Sequence, residues 1–204
     1  MENNDKPQGK KIGWELQKTD LIFKSQWYNL RQDKISLPNN EEITYTYVEH
    51  PGAVFIIPIT ANQEIILMRS YRYTIDDWCW EIPAGTLGDQ KGLSLEEVAR
   101  LELLEEIGGI AETFEGLGWY YIANGLANLK NFFFIAHNVT LSQDTQREIT
   151  EIISEVKTFP IKDIFNMLQN GLIKDGESAF ALMLALNFKK NYHNNNNKRQ
   201  FTNL

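Results

Sequence analysis

The stretch Glu81-Ile-Pro-Ala-Gly85, followed after a short loop by Ser94-Leu-Glu-Glu-Val-Ala-Arg-Leu-Glu-Leu-Leu-Glu-Glu-Ile-Gly-Gly109, decides the fold of this chain. Ser94 and Glu97 have the spacing of a capping box, in which each side chain satisfies a backbone donor near the other. Gly108 and Gly109 supply the left-handed stop that ends a helix. The pattern therefore predicts a helix from Ser94 to about Ile107, with apolar stripes Val98, Leu101, Leu104 and Ala99, Leu103, Ile107. On that helix Glu102 neighbours both Glu105 and Glu106, because residues three and four apart share a surface. Like charges so placed cost about 0.2–0.5 kcal/mol per pair. A hard divalent cation converts the repulsion into ligation, since magnesium is held by carboxylates together with substrate phosphate. Read alone, a Glu-x-x-Glu-Glu run is a solvated helix face; the Pro-Ala-Gly turn upstream is what points to a metal-dependent phosphate enzyme.

Working outward, Trp78-Cys-Trp-Glu-Ile82 reads as a strand stopped by Pro83, and Glu64 to Tyr71 as the strand before it. Ala53 to Ile59 is a continuous apolar run of the kind found in a buried strand. Three more strands are expected near 117–121, 132–137 and 151–159, and two helices near 160–169 and 177–188. At the other end, Ile12, Trp14 and Leu16 alternate with polar residues, as do Ile43, Tyr45 and Tyr47, with a turn at Leu37–Glu41 between. These strands lack a core of their own. The expected organisation is a loose segment 1–11, an N-terminal β extension 12–49, a main α/β domain 50–190 and an Asn-rich tail 191–204.

The hydrophobic fraction, 43% of 204 residues, is enough for a true core. The net charge of -7 argues against nucleic acid as a bulk electrostatic partner. A small phosphorylated ligand remains compatible, because a metal neutralises its charge. One cysteine, Cys79, excludes an intrachain disulfide and suits a reducing, cytoplasmic compartment; it reads as a small buried hydrophobe. The acidic N-terminus has no apolar signal region, and no apolar run is long enough to span a bilayer, so no membrane association is expected.

These residues resemble a Nudix hydrolase, of the ADP-ribose pyrophosphatase-like branch. The family box ends R-E-U-x-E-E-x-G-U, with U a bulky aliphatic. Glu102-Leu-Leu-Glu-Glu-Ile-Gly108 matches its E-U-x-E-E-x-G portion. The branch also carries E-[IL]-P-A-G, matched by Glu81 to Gly85, and H-P-G-A-V, matched by His50 to Val54. Ser70-Tyr71-Arg72 partly matches its Q-Y-R. The resemblance covers roughly residues 12–188 and implies an α/β/α sandwich with a mixed sheet plus an N-terminal antiparallel β extension. Four departures stand out. Leu93 replaces a glutamate, Leu101 replaces the box arginine, and Gly109 replaces an aliphatic. Seven residues, Thr86 to Gly92, separate Gly85 from Leu93, two more than the family pattern has. Arg100 does not substitute for the lost arginine, since one helical position is about 100° of rotation.

The resemblance implies magnesium, or manganese, held by Glu102, Glu105 and Glu106 with the backbone carbonyl of Ala84. It implies Arg72 and Glu81 in the substrate site. It implies a further catalytic carboxylate from a late loop, where Glu151, Glu148 and Asp144 are the candidates and Glu151 is the one assigned. Another branch carboxylate is replaced by Leu129. Base stacking on N-terminal aromatics falls to Trp27 among the available Trp14, Trp27, Tyr28 and Tyr73, although a lone aromatic in a strand otherwise packs in a core. The implied reaction is hydrolysis of the diphosphate of ADP-ribose or a related nucleoside diphosphate sugar, in a homodimer. The rival expectations are a weakened or inactive module that binds a nucleotide sugar, and a dimeric scaffold.

Overall fold

The computed structural model describes residues 7–88, 92–142, 145, 147 and 151–192. The chain forms two compact units, one comprising the residues up to Pro51 with Tyr121–Lys130, the other the remainder. In the first unit β1 (Glu15–Lys24), β2 (Asn29–Ser36) and β3 (Glu42–Glu49) form an antiparallel sheet in that order. The segment 121–130 is stitched to it: Val48 N–H donates to the Leu126 carbonyl at 2.9 Å, and Asn128 N–H to the Val48 carbonyl at 3.1 Å.

The second unit contains β4 (Ala53–Pro58), β5 (Glu64–Arg72), β6 (Asp77–Glu81), β7 (Ala84–Thr86) and α1 (Leu95–Ile107). It continues with β8 (Gly109–Ile110), β9 (Thr113–Tyr121), β10 (Lys130–His137), β11 (Thr140–Leu141), β12 (Ile153–Pro160), α2 (Ile161–Gln169) and α3 (Gly176–Tyr192). One sheet runs β7-β4-β10-β9, with β4 parallel to β10 and antiparallel to β7; a second runs β12-β5-β6, all antiparallel. Alternation across β4 explains the layers. Val54 and Ile56 face α1, packing with Ile66, Met68, Phe132 and Phe134 against Val98, Ala99, Leu103 and Ile107. Phe55 points the other way, stacking on Phe133, which in turn meets Phe180 of α3, each ring pair 5.4 Å between centroids. Helices thus cover both faces, the α/β/α sandwich with a mixed sheet that the sequence led us to expect. Each fully buried Ile, Leu or Phe of this interior contributes about 1.5–3 kcal/mol.

Local differences have local causes. Ile12 is not in a strand: Lys10–Ile12 is a short 3-10 turn between Gly9 and Gly13, both left-handed at φ 65° and 71°. The strand starts at Glu15, and bulges at Leu16/Lys18 and Leu21/Phe23 interrupt the simple alternation. The short strands β7, β8 and β11 carry too few residues to show a period. The last helix reaches Tyr192, beyond the expected 188 and into the segment expected to be a tail. No helix among the described residues is long and apolar enough to cross a membrane.

Candidate active site

The predicted capping box is present. Ser94 Oγ accepts from Glu97 N–H at 3.3 Å, and Glu97 Oε2 accepts from Ser94 N–H at 2.7 Å. The helix ends on Gly108 at φ 68°, whose N–H donates to the Leu104 carbonyl at 2.8 Å. Gly109 sits where a side chain would collide with Leu103, 2.8 Å from an added Cβ. That contact accounts for the glycine at a position where the family pattern has an aliphatic.

Between those ends α1 turns Glu102 and Glu106 inward, leaving them 8% and 5% exposed. Both lie against the Pro-Ala-Gly turn. Ala84 N–H donates to Glu106 Oε2 at 2.8 Å. Gly85 leaves room for Glu102: a Cβ there would lie 1.9 Å from the Glu102 carboxyl group. Its backbone is not left-handed, so space, not conformation, requires glycine at that position. Burial pushes the Glu106 carboxyl well above its ordinary range, and the charges of Glu151 and Glu102 push it further, against the opposing Ala84 hydrogen bond and Arg72. Glu102, Glu106, Glu151 and Arg72 are therefore brought together electrostatically. Glu105 is half-buried on the same helix.

Arg72 does more than border this group. Its Nε donates to Glu81 Oε1 at 2.9 Å, and Nη2 reaches Oε2 in a forked pair. Glu81 is 2% exposed. Its pKa is raised by burial and held back by Arg72, with Asp175 adding repulsion. The hydrogen bond to Glu81 in turn raises the Arg72 pKa. Trp27 lies in the first unit, in the turn between β1 and β2, 40% exposed. Glu148 and Asp144 lie outside the described residues.

Leu101 and Leu93, at the positions of the missing arginine and glutamate, are both exposed. Arg100 turns away to Glu96 at 2.8 Å and over the Phe114 ring at 4.5 Å. An arginine that sequence reasoning missed does reach the helix: Arg147 Nε donates to the Glu106 carbonyl at 2.8 Å. A cation there complements the negative end of the helix dipole. Nothing local in the sequence marks it, because the two residues stand 41 positions apart with β8 to β11 between them.

The donor set is all oxygen, as a hard divalent ion requires, and the Gly85 cradle together with the repulsion of buried Glu106 by Glu102 and the half-buried Glu151 suits one. Among the described residues no three acidic, histidine or cysteine side chains converge into a ready-made cage. Such a donor set can shield a diphosphate and activate water, the work of a metal-assisted hydrolase.

Comparison with known proteins agrees. The NUDIX domain model matches residues 49–180, and the chain belongs to the Nudix family. It falls in the branch that resembles the ADP-ribose pyrophosphatases, a class of hydrolases acting on phosphoric anhydride bonds. It is 27% identical to the ADP-ribose pyrophosphatase of Bacillus subtilis over 80% of this chain and 87% of that protein. It is 30% identical to the methanol dehydrogenase activator of Bacillus methanolicus over 81% of this chain and 88% of that one. A solved structure described as an ADP compounds hydrolase superposes with a TM-score of 0.76 at 20% identity, covering 88% of this chain and 95% of the other.

Proposed function

We propose that this protein hydrolyses the diphosphate of ADP-ribose, or of a related nucleoside diphosphate sugar, in a magnesium-dependent reaction giving AMP and a sugar phosphate. The observation that carries the reading is the buried pair Glu102 and Glu106 against the Pro-Ala-Gly turn, with the charge of Glu151 acting on Glu106 and a cradle that admits Glu102 only because residue 85 is glycine. Glu102, Glu105 and Glu106, with the Ala84 carbonyl, would hold magnesium or manganese, which shields the diphosphate charge and acidifies water. Glu151 accepts the proton of the attacking water. Arg72, oriented by its fork to Glu81, presents its half-exposed guanidinium to substrate phosphate. Trp27 stacks the base. We further propose a cytoplasmic homodimer assembled through the N-terminal sheet, whose Leu21, Ile22, Phe23 and Tyr28 are exposed; light scattering on the full chain tests it.

The test of the reaction is AMP release from ADP-ribose with and without magnesium. Turnover that survives Glu106→Gln unchanged, or that needs no divalent ion, overturns the assignment. The exposed leucine at position 101 favours a slow enzyme, and Leu101→Arg should raise turnover if the lost arginine is the cause.

A further inference from the structure

The first unit contains a cleft of about 530 Å³ that the hydrolytic reading does not use. Trp14, Tyr45, Tyr47 and Tyr121 supply its aromatic walls, and Asn128 an amide. Among the described residues Asp33 is the sole charged side chain lining it. Asp33 is 3% exposed, and its Oδ1 has no hydrogen-bond partner among the described residues. Tyr47 is 5% exposed, and its hydroxyl lies near Asp33 without forming a well-aligned hydrogen bond. Burial first, then the charges of Asp33 and Glu49 and an interaction of the hydroxyl with Asp33, raise the Tyr47 pKa to about 12 against the opposing charge of Arg31, so it stays neutral. Thr19, which faces Asp33 across the β1–β2 ladder, adds a second buried hydroxyl without a partner. The nearby cation Arg31 is already engaged, its Nε 2.7 Å from Glu49 Oε1.

Polar atoms left unpaired in a buried place require an explanation. The chemistry of the lining narrows the occupant. A phosphate-bearing ligand would meet a carboxylate and no cationic side chain, so this is not a second nucleotide site. A small metal ion would find one carboxylate only. An organic cation meets both features of the cleft, because aromatic faces attract positive charge and Asp33 neutralises it. A guanidinium fits better than an ammonium: it is planar, weakly hydrated, stacks on rings, and offers several donors to polar groups of the lining.

We propose that this cleft binds a planar organic cation of the guanidinium class, held against the Trp14, Tyr45 and Tyr121 rings and paired with Asp33. The cation belongs either to a small molecule or to an arginine side chain of a peptide. The site stands independently of the hydrolytic reading.

Calorimetric titration of the full chain with methylguanidine, agmatine and N-acetylarginine amide tests it, with neutral methylurea as the shape-matched control. All or some of the cations should bind saturably, methylurea should not, and Asp33→Asn should weaken the cations about tenfold or more. Tighter binding of agmatine than of the arginine amide identifies a small-molecule site, and the reverse order identifies a peptide arginine. Asp33→Asn should leave AMP release unchanged. Absence of binding by every guanidinium compound, equal binding of methylurea, or undiminished binding by folded Asp33→Asn overturns the proposal. If that variant does not fold, Tyr45→Leu and the guanidine-to-urea comparison on the unaltered chain decide the question alone.

Discussion

Replacing Gly85 by alanine would place a methyl carbon 1.9 Å from the carboxyl carbon and Oε1 of Glu102. One of the two must move. The backbone at position 85 tolerates alanine, which stiffens the unfolded chain and gains about 0.4–1 kcal/mol. The group it strikes is the far end of a flexible side chain, whose retreat from its rotamer costs about 0.5–1.5 kcal/mol. The two nearly cancel, so stability should change by no more than about 1 kcal/mol, or about 4 °C in Tm for a chain of this size. Turnover should not be spared. Displacing a carboxylate by about 1 Å costs on the order of a hundredfold in rate, equivalent to about 2.7 kcal/mol of activation free energy. The assay is AMP release from ADP-ribose at saturating magnesium, beside a thermal melt of the same sample. Gly125→Ala is the control, because an added Cβ there meets nothing within 4 Å. Near-normal turnover in a folded Gly85→Ala protein would refute the reasoning, and so would collapse of the fold.

Glu106 should make stability depend on pH in a chelator-treated sample. Its folded pKa is raised above the ordinary 4.5, so the folded state binds more protons than the unfolded one. Its contribution is full below that value and is lost as pH rises through the folded pKa. Melts from about pH 5 to neutrality should therefore fall more steeply for the parent than for Glu106→Gln; parallel slopes would contradict this. Arg72→Ala strands Glu81 without its partner, and because Arg72 is half-exposed the loss should be about 1–3 kcal/mol in urea unfolding, below that of a fully buried pair. Adding Glu81→Gln should recover part of it. Ser94→Ala removes the cap of α1 and should cost about 1 kcal/mol, read as a lower urea midpoint with an unchanged slope.

The helix and its boundaries were legible because Ser94, Glu97 and Gly108 act on their own neighbours, and such local chemistry is written in consecutive residues. The buried runs of β4, β5 and β10 were legible for the same reason. The resemblance put Arg72 and Glu81 in one site without joining them in a fork. Its two residues are not register partners, since Arg72 stands opposite Asp77 and Glu81 opposite Met68; the long arginine side chain makes the contact. The Gly85–Glu102 cradle and the Arg147 contact join residues far apart in the chain, and no spacing rule reaches them. Asp33 lies on β2 and Tyr47 on β3, and only the pairing of those strands brings them together, so they did not stand out as a buried polar pair.

The stitching of Val48 to Leu126 and Asn128 bears on how this chain could be dissected. A fragment beginning at Gly52 would keep the tether 121–130 yet strip the backbone donors and acceptors that Val48 and His50 supply to it. The N-terminal sheet is not a detachable module: to graft it onto another protein, or to excise it, one must carry along ten residues encoded some seventy positions downstream.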